Sequence, residues 1–283
     1  MKKIEELLNS DFQIELLKAA IENLNDKTNK LRLNNYAYSM RELSRHFLKS
    51  LAPDNEVFAS NWYRNETGEK DIISRGERIK YAIQGGLDNN FVNNEIIEIE
   101  HLNKLKTEIT KSITALNKYT HINEDTFNIG NYATDKISKK VNDAFISFTE
   151  AINECREIII SSLEDKISNE FIEHTITESI DEIDLMATHH NIEEISPDHI
   201  KIVKIENANS IKIEVNGFVA TRLQYGSDGD QRRGNGLVLH DSFPFCSILN
   251  ASVGKKLKYS KVVIESFEVN TDSWYGEEEQ TIK

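Results

Sequence analysis

Three prolines occur in the 283 residues, at Pro53, Pro197 and Pro244. The long interval from Pro53 to Pro197 holds none, and a chain without proline is free to run in long helices. Within it, apolar residues recur at spacings of three and four. One run is Ile99, Leu102, Leu105, Ile109, Ile113 and Leu116. The next is Ile137, Val141, Phe145, Phe148, Ile152, Cys155, Ile159, Leu163 and Ile167. Each stripe has to be buried against something. The spacing predicts a long, coiled-coil-like antiparallel hairpin, and packing against a second copy, a homodimer, is one way to cover it.

Upstream, Ile14, Leu17, Ala20, Ile21 and Leu24 predict a helix over 12–32. A second is expected over Asn35 to Leu51, ending before Ala52-Pro53-Asp54, and a third over Ser74 to Gln84, ending at Gly85-Gly86. The pattern changes near Pro197. Ile200, Ile202, Ile205, Ile211, Ile213 and Val215 alternate as strands do. Asn216-Gly217, between two apolar runs, predicts a two-residue hairpin turn. Further strands are expected at Leu237–His240, Ser247–Val253 and Lys261–Val269. The fold class is therefore α+β: a helical region over 1–92, a helical hairpin over 93–190 and a small, mainly antiparallel β domain over 195–283.

Charge is unevenly placed. The chain carries 34 Lys and Arg against 47 Asp and Glu, a net of −13. Fourteen of the acids lie between Glu150 and Ile200, where Arg156 and Lys166 are the only Lys or Arg. Residues 1–90 hold fourteen bases and fourteen acids, so the acidic balance leaves room for a polyanion site there. The two cysteines, Cys155 and Cys246, are too few for a disulfide framework or a four-thiolate zinc site. The start has no apolar signal core and no stretch is long enough to span a membrane, so a cytoplasmic protein is expected.

Four groups could carry chemistry. The first is Arg41-Glu42-Leu43-Ser44-Arg45-His46 on the second helix. A His and an Arg at one phosphate suffice for metal-free RNA cleavage, the His moving protons and the Arg holding charge. Five positions on a helix subtend about 140° beyond a full turn, so Arg41 and His46 do not share a face, whereas Glu42 and His46 do. Two such helices meeting across a dyad would bring both residue types to one cleft. The second group is Trp62-Tyr63-Arg64 with Arg75, Arg78, Lys80 and Tyr81, where aromatics could stack bases and cations hold phosphate.

The third is the loop Gly226 to Gly236. Asp228 and Asp230 there resemble the start of a calcium loop, but Leu239 stands where the bidentate Glu belongs. Arg232 and Arg233 in the same loop would suit a phosphate or a partner. The fourth is His189-His190 with His199, at the α-to-β boundary, which reads as a linker. A metal-dependent nuclease would need clustered carboxylates with a lysine. Glu95, Glu98, Glu100, Lys104 and Lys106 approach that but follow a helical stripe. No metal or other cofactor is expected.

The blocks Tyr38 to Asp54, Tyr81 to Leu87, Leu223 to Asp228 and Ser242 to Phe245 resemble the bacterial proteins described as predicted pPIWI-associating nucleases, found beside Argonaute-like defence modules. The Arg-polar-x-x-x-His core also resembles the motif of HEPN ribonucleases, all-α proteins that often act as dimeric toxins or antiviral effectors. These resemblances imply Arg41 and His46 as catalytic, with Glu42 as the polar residue after the Arg. The leading expectation is a metal-independent endoribonuclease in anti-phage defence, with Arg45, Arg75, Arg78 and Lys80 guiding RNA. Its partners would be RNA and a pPIWI or other defence protein. The alternative is a non-catalytic adaptor or sensor that docks a partner through Asp228, Asp230, Arg232 and Arg233.

Overall fold

A computed structural model describes residues 2–5, 8–206 and 210–276. The chain is α+β and divides into two compact units. One comprises Met1–Ile158 with Glu206–Ala208, the other Ile159–Ile205 with Asn209–Lys283.

The first unit holds α1 (Lys2–Glu5), α2 (Asp11–Asn25), α3 (Arg32–Leu51), α4 (Asp54–Ala59), α5 (Arg75–Gln84), α6 (Asn89–Glu95), α7 (Ile99–Leu116) and the first part of α8 (Asn131–Thr177). α3 organises it. Leu33, Tyr36, Ala37, Met40, Leu43 and Phe47 recur at helical spacing and are all but fully buried. They share one core with Leu17 and Ala20 of α2, Ile79 and Ile83 of α5, the α7 stripe from Leu102 to Leu116, and Val141, Phe145, Phe148 and Ile152 of α8. The α7 stripe thus finds its cover within the chain. α7 is 18 residues long and α8 is 47, so the two are far from the matched arms of a simple hairpin.

Local chemistry sets the helix ends. α2 stops at Asn25 instead of running on to residue 32. The Asp26 carboxylate accepts from the Thr28 N–H (3.0 Å) and hydroxyl (2.6 Å), an Asx turn that diverts the backbone. α3 then starts at Arg32, three residues before the expected Asn35. α5 opens on a capping box: the Ser74 hydroxyl accepts from the Glu77 N–H, and the Glu77 carboxylate accepts from the Ser74 N–H.

The second unit joins the end of α8, α9 (Asp181–Asp184) and a four-stranded antiparallel sheet in the order β1-β2-β3-β4. The strands are β1 (His189–Ile205), β2 (Ser210–Tyr225), β3 (Leu237–Ser252) and β4 (Lys261–Val269), with the short α10 (Asp228–Arg232) between β2 and β3. β2 alternates buried and open positions through Ile211, Ile213, Val215, Val219 and Leu223. The continuing α8 stripe, Leu163, Ile167 and Phe171, is buried in the same unit, and the Phe171 ring meets Phe245 at 5.2 Å and Phe267 at 5.9 Å.

The sheet corrects several expectations. Asn216-Gly217 is not a turn: β2 runs straight through it, pairing Gly217 with Pro197 on one side and Phe245 on the other. Neither residue has the positive φ of a type I′ turn. Glycine is needed for room. A Cβ at 217 would strike the Ser196 carbonyl oxygen and lie 2.7 Å from the Phe245 ring. Gly217→Ala is therefore expected to destabilise by roughly 1–3 kcal/mol as an overpacked core does. Urea unfolding followed by circular dichroism would read this, and an unchanged midpoint would contradict it.

The strands expected at Leu237–His240 and Ser247–Val253 are one continuous β3, and Pro244 interrupts neither ladder. Its carbonyl accepts from the Asn270 N–H (2.8 Å), so its nitrogen points the same way, just beyond the first β3–β4 pair at Phe245 and Val269. No β2 hydrogen bond is lost. Pro197 sits on the edge strand β1, where an absent N–H costs little. β1 also starts earlier than expected, so His189, His190 and His199 lie on a strand and not in a linker. His190 Nε2 is 3.1 Å from Asp184 Oδ1.

Candidate active site

Two helices of the first unit build the site. α3 buries Met40, Leu43 and Phe47, which turns Arg41, Arg45 and Leu48 to an adjoining face. α5 packs against α3 through Ile79 and Ile83, and its capping box fixes where the helix begins, with Arg75 at its first position. The guanidinium of Arg78 ties α5 to the α3–α4 corner. Nη1 donates to the Ala52 carbonyl (2.6 Å) and Nη2 to Asp54 Oδ1 (2.7 Å).

Between the helices lies a pocket of about 230 Å³, lined by Arg41, Glu42, Arg45, Leu48, Ile73, Arg75 and Arg78. Four of its seven lining residues are arginines. Two are compensated, Arg78 by Asp54 and Arg45 by Glu42, whose Oε2 accepts from Arg45 Nε at 3.0 Å. The other two have no carboxylate partner among the described residues. Arg41 Nη1 and Arg75 Nη1 each reach only a threonine hydroxyl, Thr120 and Thr114, at 3.4 Å. Burial, and then the neighbouring charge of Arg41, push Arg75 below the usual guanidinium range. A guanidinium remains charged at any ordinary pH, so the two positive charges repel each other. Glu42 supplies a carboxylate at the same pocket.

His46 stands outside this pocket. Its ring packs edge-on against Phe12 at 5.1 Å, and its Nε2 is 2.9 Å from Arg45 Nη2. It therefore touches the site through Arg45. Lys80, on α5, does not line the pocket either. Its ammonium lies 4.5 Å over the Trp62 ring, and burial, with Lys106 next, brings it down to about 8. Trp62 is buried with Ala52, Val57, Ile73 and Tyr81 and donates Nε1–H to the Gly85 carbonyl (2.9 Å), so it offers no face for base stacking. Arg64 is turned onto the Asn61 and Tyr63 carbonyls.

Lys106 of the carboxylate-rich stripe is held by Glu66 at 2.9 Å. Among the described residues no group of three or more His, Cys, Asp and Glu is placed to hold a metal ion. No helix among them is long and apolar enough to cross a membrane.

The loop residues belong to the other unit and look inward. Asp230 accepts from the Ser227 N–H and hydroxyl (2.9 and 2.6 Å) and pairs with Arg233 (2.8 Å). These contacts hold it down at about 2. Asp228 accepts from Gln224 Nε2 at 3.0 Å. Both aspartates thus serve the loop's own fold, and Arg232 is left exposed at its tip. No motif marks Thr114 or Thr120. Their part becomes visible only once α7 and the turn after it are laid beside α3 and α5.

Two family models, both described as "Predicted pPIWI-associating nuclease", match the chain, one over residues 5–148 and the other over 152–275. The break between them falls close to the division between the two compact units at Ile158 and Ile159. No curated protein and no solved structure matches. With the matches covering most of its length, the chain belongs to the family of predicted pPIWI-associating nucleases.

Proposed function

We propose that the arginine pocket of the first unit is the nuclease site and that its substrate is RNA, cut without a metal ion. The observation that carries this reading is the pair Arg41 and Arg75, partly buried, charged and without acid partners among the described residues, lining a pocket of about 230 Å³. In phosphoryl chemistry, fixed guanidiniums can supply the positive charge that stabilises the transition state. Arg41 and Arg75 fork onto the non-bridging oxygens of the scissile phosphate. Glu42 takes the proton of the adjacent 2′-OH. The 2′-oxygen forms its bond to phosphorus while the bond to the 5′-oxygen breaks, and the departing oxygen takes a proton from water. The products are a 2′,3′-cyclic phosphate and a 5′-OH end.

His46 is a positioning residue in this scheme, holding Arg45 and through it Glu42. The HEPN-like assignment of His46 as the proton carrier is replaced here by Glu42 because Glu42 lines the pocket and His46 does not. The family description names an association with pPIWI, and the reading adopted here is activity in a bacterial defence module with an Argonaute-like protein as partner.

A single 2′-deoxy substitution in an otherwise ribose oligonucleotide tests the chemistry. Cleavage should cease at that position alone, and the remaining fragments should carry cyclic phosphate ends. Cutting at the deoxy position would contradict the internal-nucleophile scheme. A second reading, a module that holds a phosphate without cutting it, rests on the ion pair that engages Glu42, and predicts RNA binding with no product.

A further inference from the structure

A second basic feature lies in the first unit, apart from the arginine pocket. α7 and the first part of α8 flank a groove of about 520 Å³, lined by Lys111, Lys136, Lys139 and Lys140 with Glu108 and Asp143. All four lysines are exposed, and none has a carboxylate within ion-pairing distance among the described residues. In a chain with a net charge of −13, four unpaired lysines against two acids are a local reversal of sign.

The helix brings more to the same face. Tyr132, Lys136, Lys139, Lys140 and Asp143 are related by helical spacings of three and four. Asp135, which would dilute the charge, leans towards Arg32 at 3.8 Å. Tyr132 is 82% exposed, with a ring free for a base to stack on. A row of ammonium groups with an open aromatic at its end is the combination that tracks a single strand: cations follow the phosphates and the ring takes a base, whatever its sequence.

We propose that this groove binds the backbone of single-stranded RNA outside the cleavage pocket. The proposal rests on the reading of RNA as the substrate of this unit, and binding and cutting are measured separately so that the two stand or fall apart. The full chain is used, with Lys136→Glu, Lys139→Glu and Lys140→Glu combined in one variant and Tyr132→Ala in another. Fluorescence anisotropy is read with RNA of roughly 16 nucleotides and of roughly 4 nucleotides over a range of salt.

The triple variant is expected to bind the longer RNA at least about 10-fold more weakly and to lose about 2 from its salt slope, near 0.7 per phosphate contact. Tyr132→Ala should weaken it about 5-fold or more, as loss of one stacked base does. Binding and cleavage of the short RNA should stay as in the wild type. Wild-type affinity and salt slope in the triple variant would overturn the proposal, and so would an equal loss on the short RNA. If the wild type binds but never cuts, and the triple variant still loses affinity, the groove stands and the cleavage reading falls.

Discussion

Arg75→Ala and Arg41→Ala are each expected to lower RNA cleavage by about 100-fold or more, the usual loss when one preorganised charge donor is removed from a transition state. The size follows from the surroundings. Arg45 and Arg78 already spend charge on Glu42 and Asp54, so they cannot fully replace a missing neighbour. Arg41 and Arg75 face the pocket with only Thr120 and Thr114 as partners among the described residues.

The same isolation gives a second readout that does not depend on turnover. Inorganic phosphate or sulfate should raise the melting temperature of the wild type and leave Arg75→Ala unmoved, because an anion that binds only the folded state stabilises it. Without anion, Arg75→Met should melt no lower than the wild type, since it removes a partly buried charge that Arg41 repels. A clear loss of stability in Arg75→Met would mean that Arg75 holds the fold together and is not waiting for a ligand. His46→Ala should reduce cleavage much less than Arg41→Ala, and His46→Gln, which keeps an acceptor for Arg45, should recover most of the difference.

Phe47→Ala is expected to destabilise the first unit by roughly 3–5 kcal/mol, the cost of emptying a buried aromatic site. Phe47 is 1% exposed, and its ring lies 5.6 Å from Phe148 and 6.4 Å from Phe145. That contact joins α3 to α8 within the buried core of the unit, so truncation leaves a cavity there. Since domains have only about 5–15 kcal/mol of stability in all, the variant should be near its unfolding midpoint under mild conditions. Its midpoint in urea should fall sharply, while that of His46→Ala, one residue away but half exposed, should move little. Equal effects at 46 and 47 would contradict the assignment of faces on α3.

Those faces were legible in the sequence because α3 obeys the helical period closely. The spacing of Arg41 and His46 alone places them about 140° apart, and the structure shows what that separation means: one side chain at the pocket, the other behind Arg45. The α7 and α8 stripes were legible for the same reason. What covers them was not, because periodicity says that a face is apolar and nothing about its partner. The turn at Asn216-Gly217 misled because glycine serves two needs, positive φ and close approach. Only the position of Phe245 and Ser196 shows which one applies. The meeting of Arg75 with Arg41 depends on how α5 docks on α3, a contact between residues distant in sequence that no local pattern contains.

Metal-free RNA cleavage at the arginine pocket is the proposal on which the other expectations depend. The most direct test is incubation of labelled single-stranded RNA with the full chain in excess EDTA, comparing the wild type with Arg41→Ala, Arg75→Ala and Glu42→Gln at matched folding. The wild type should cut, and all three substitutions should abolish the cutting or reduce it by about 100-fold. Cutting that EDTA stops, or that survives in Arg41→Ala and Arg75→Ala, would contradict it.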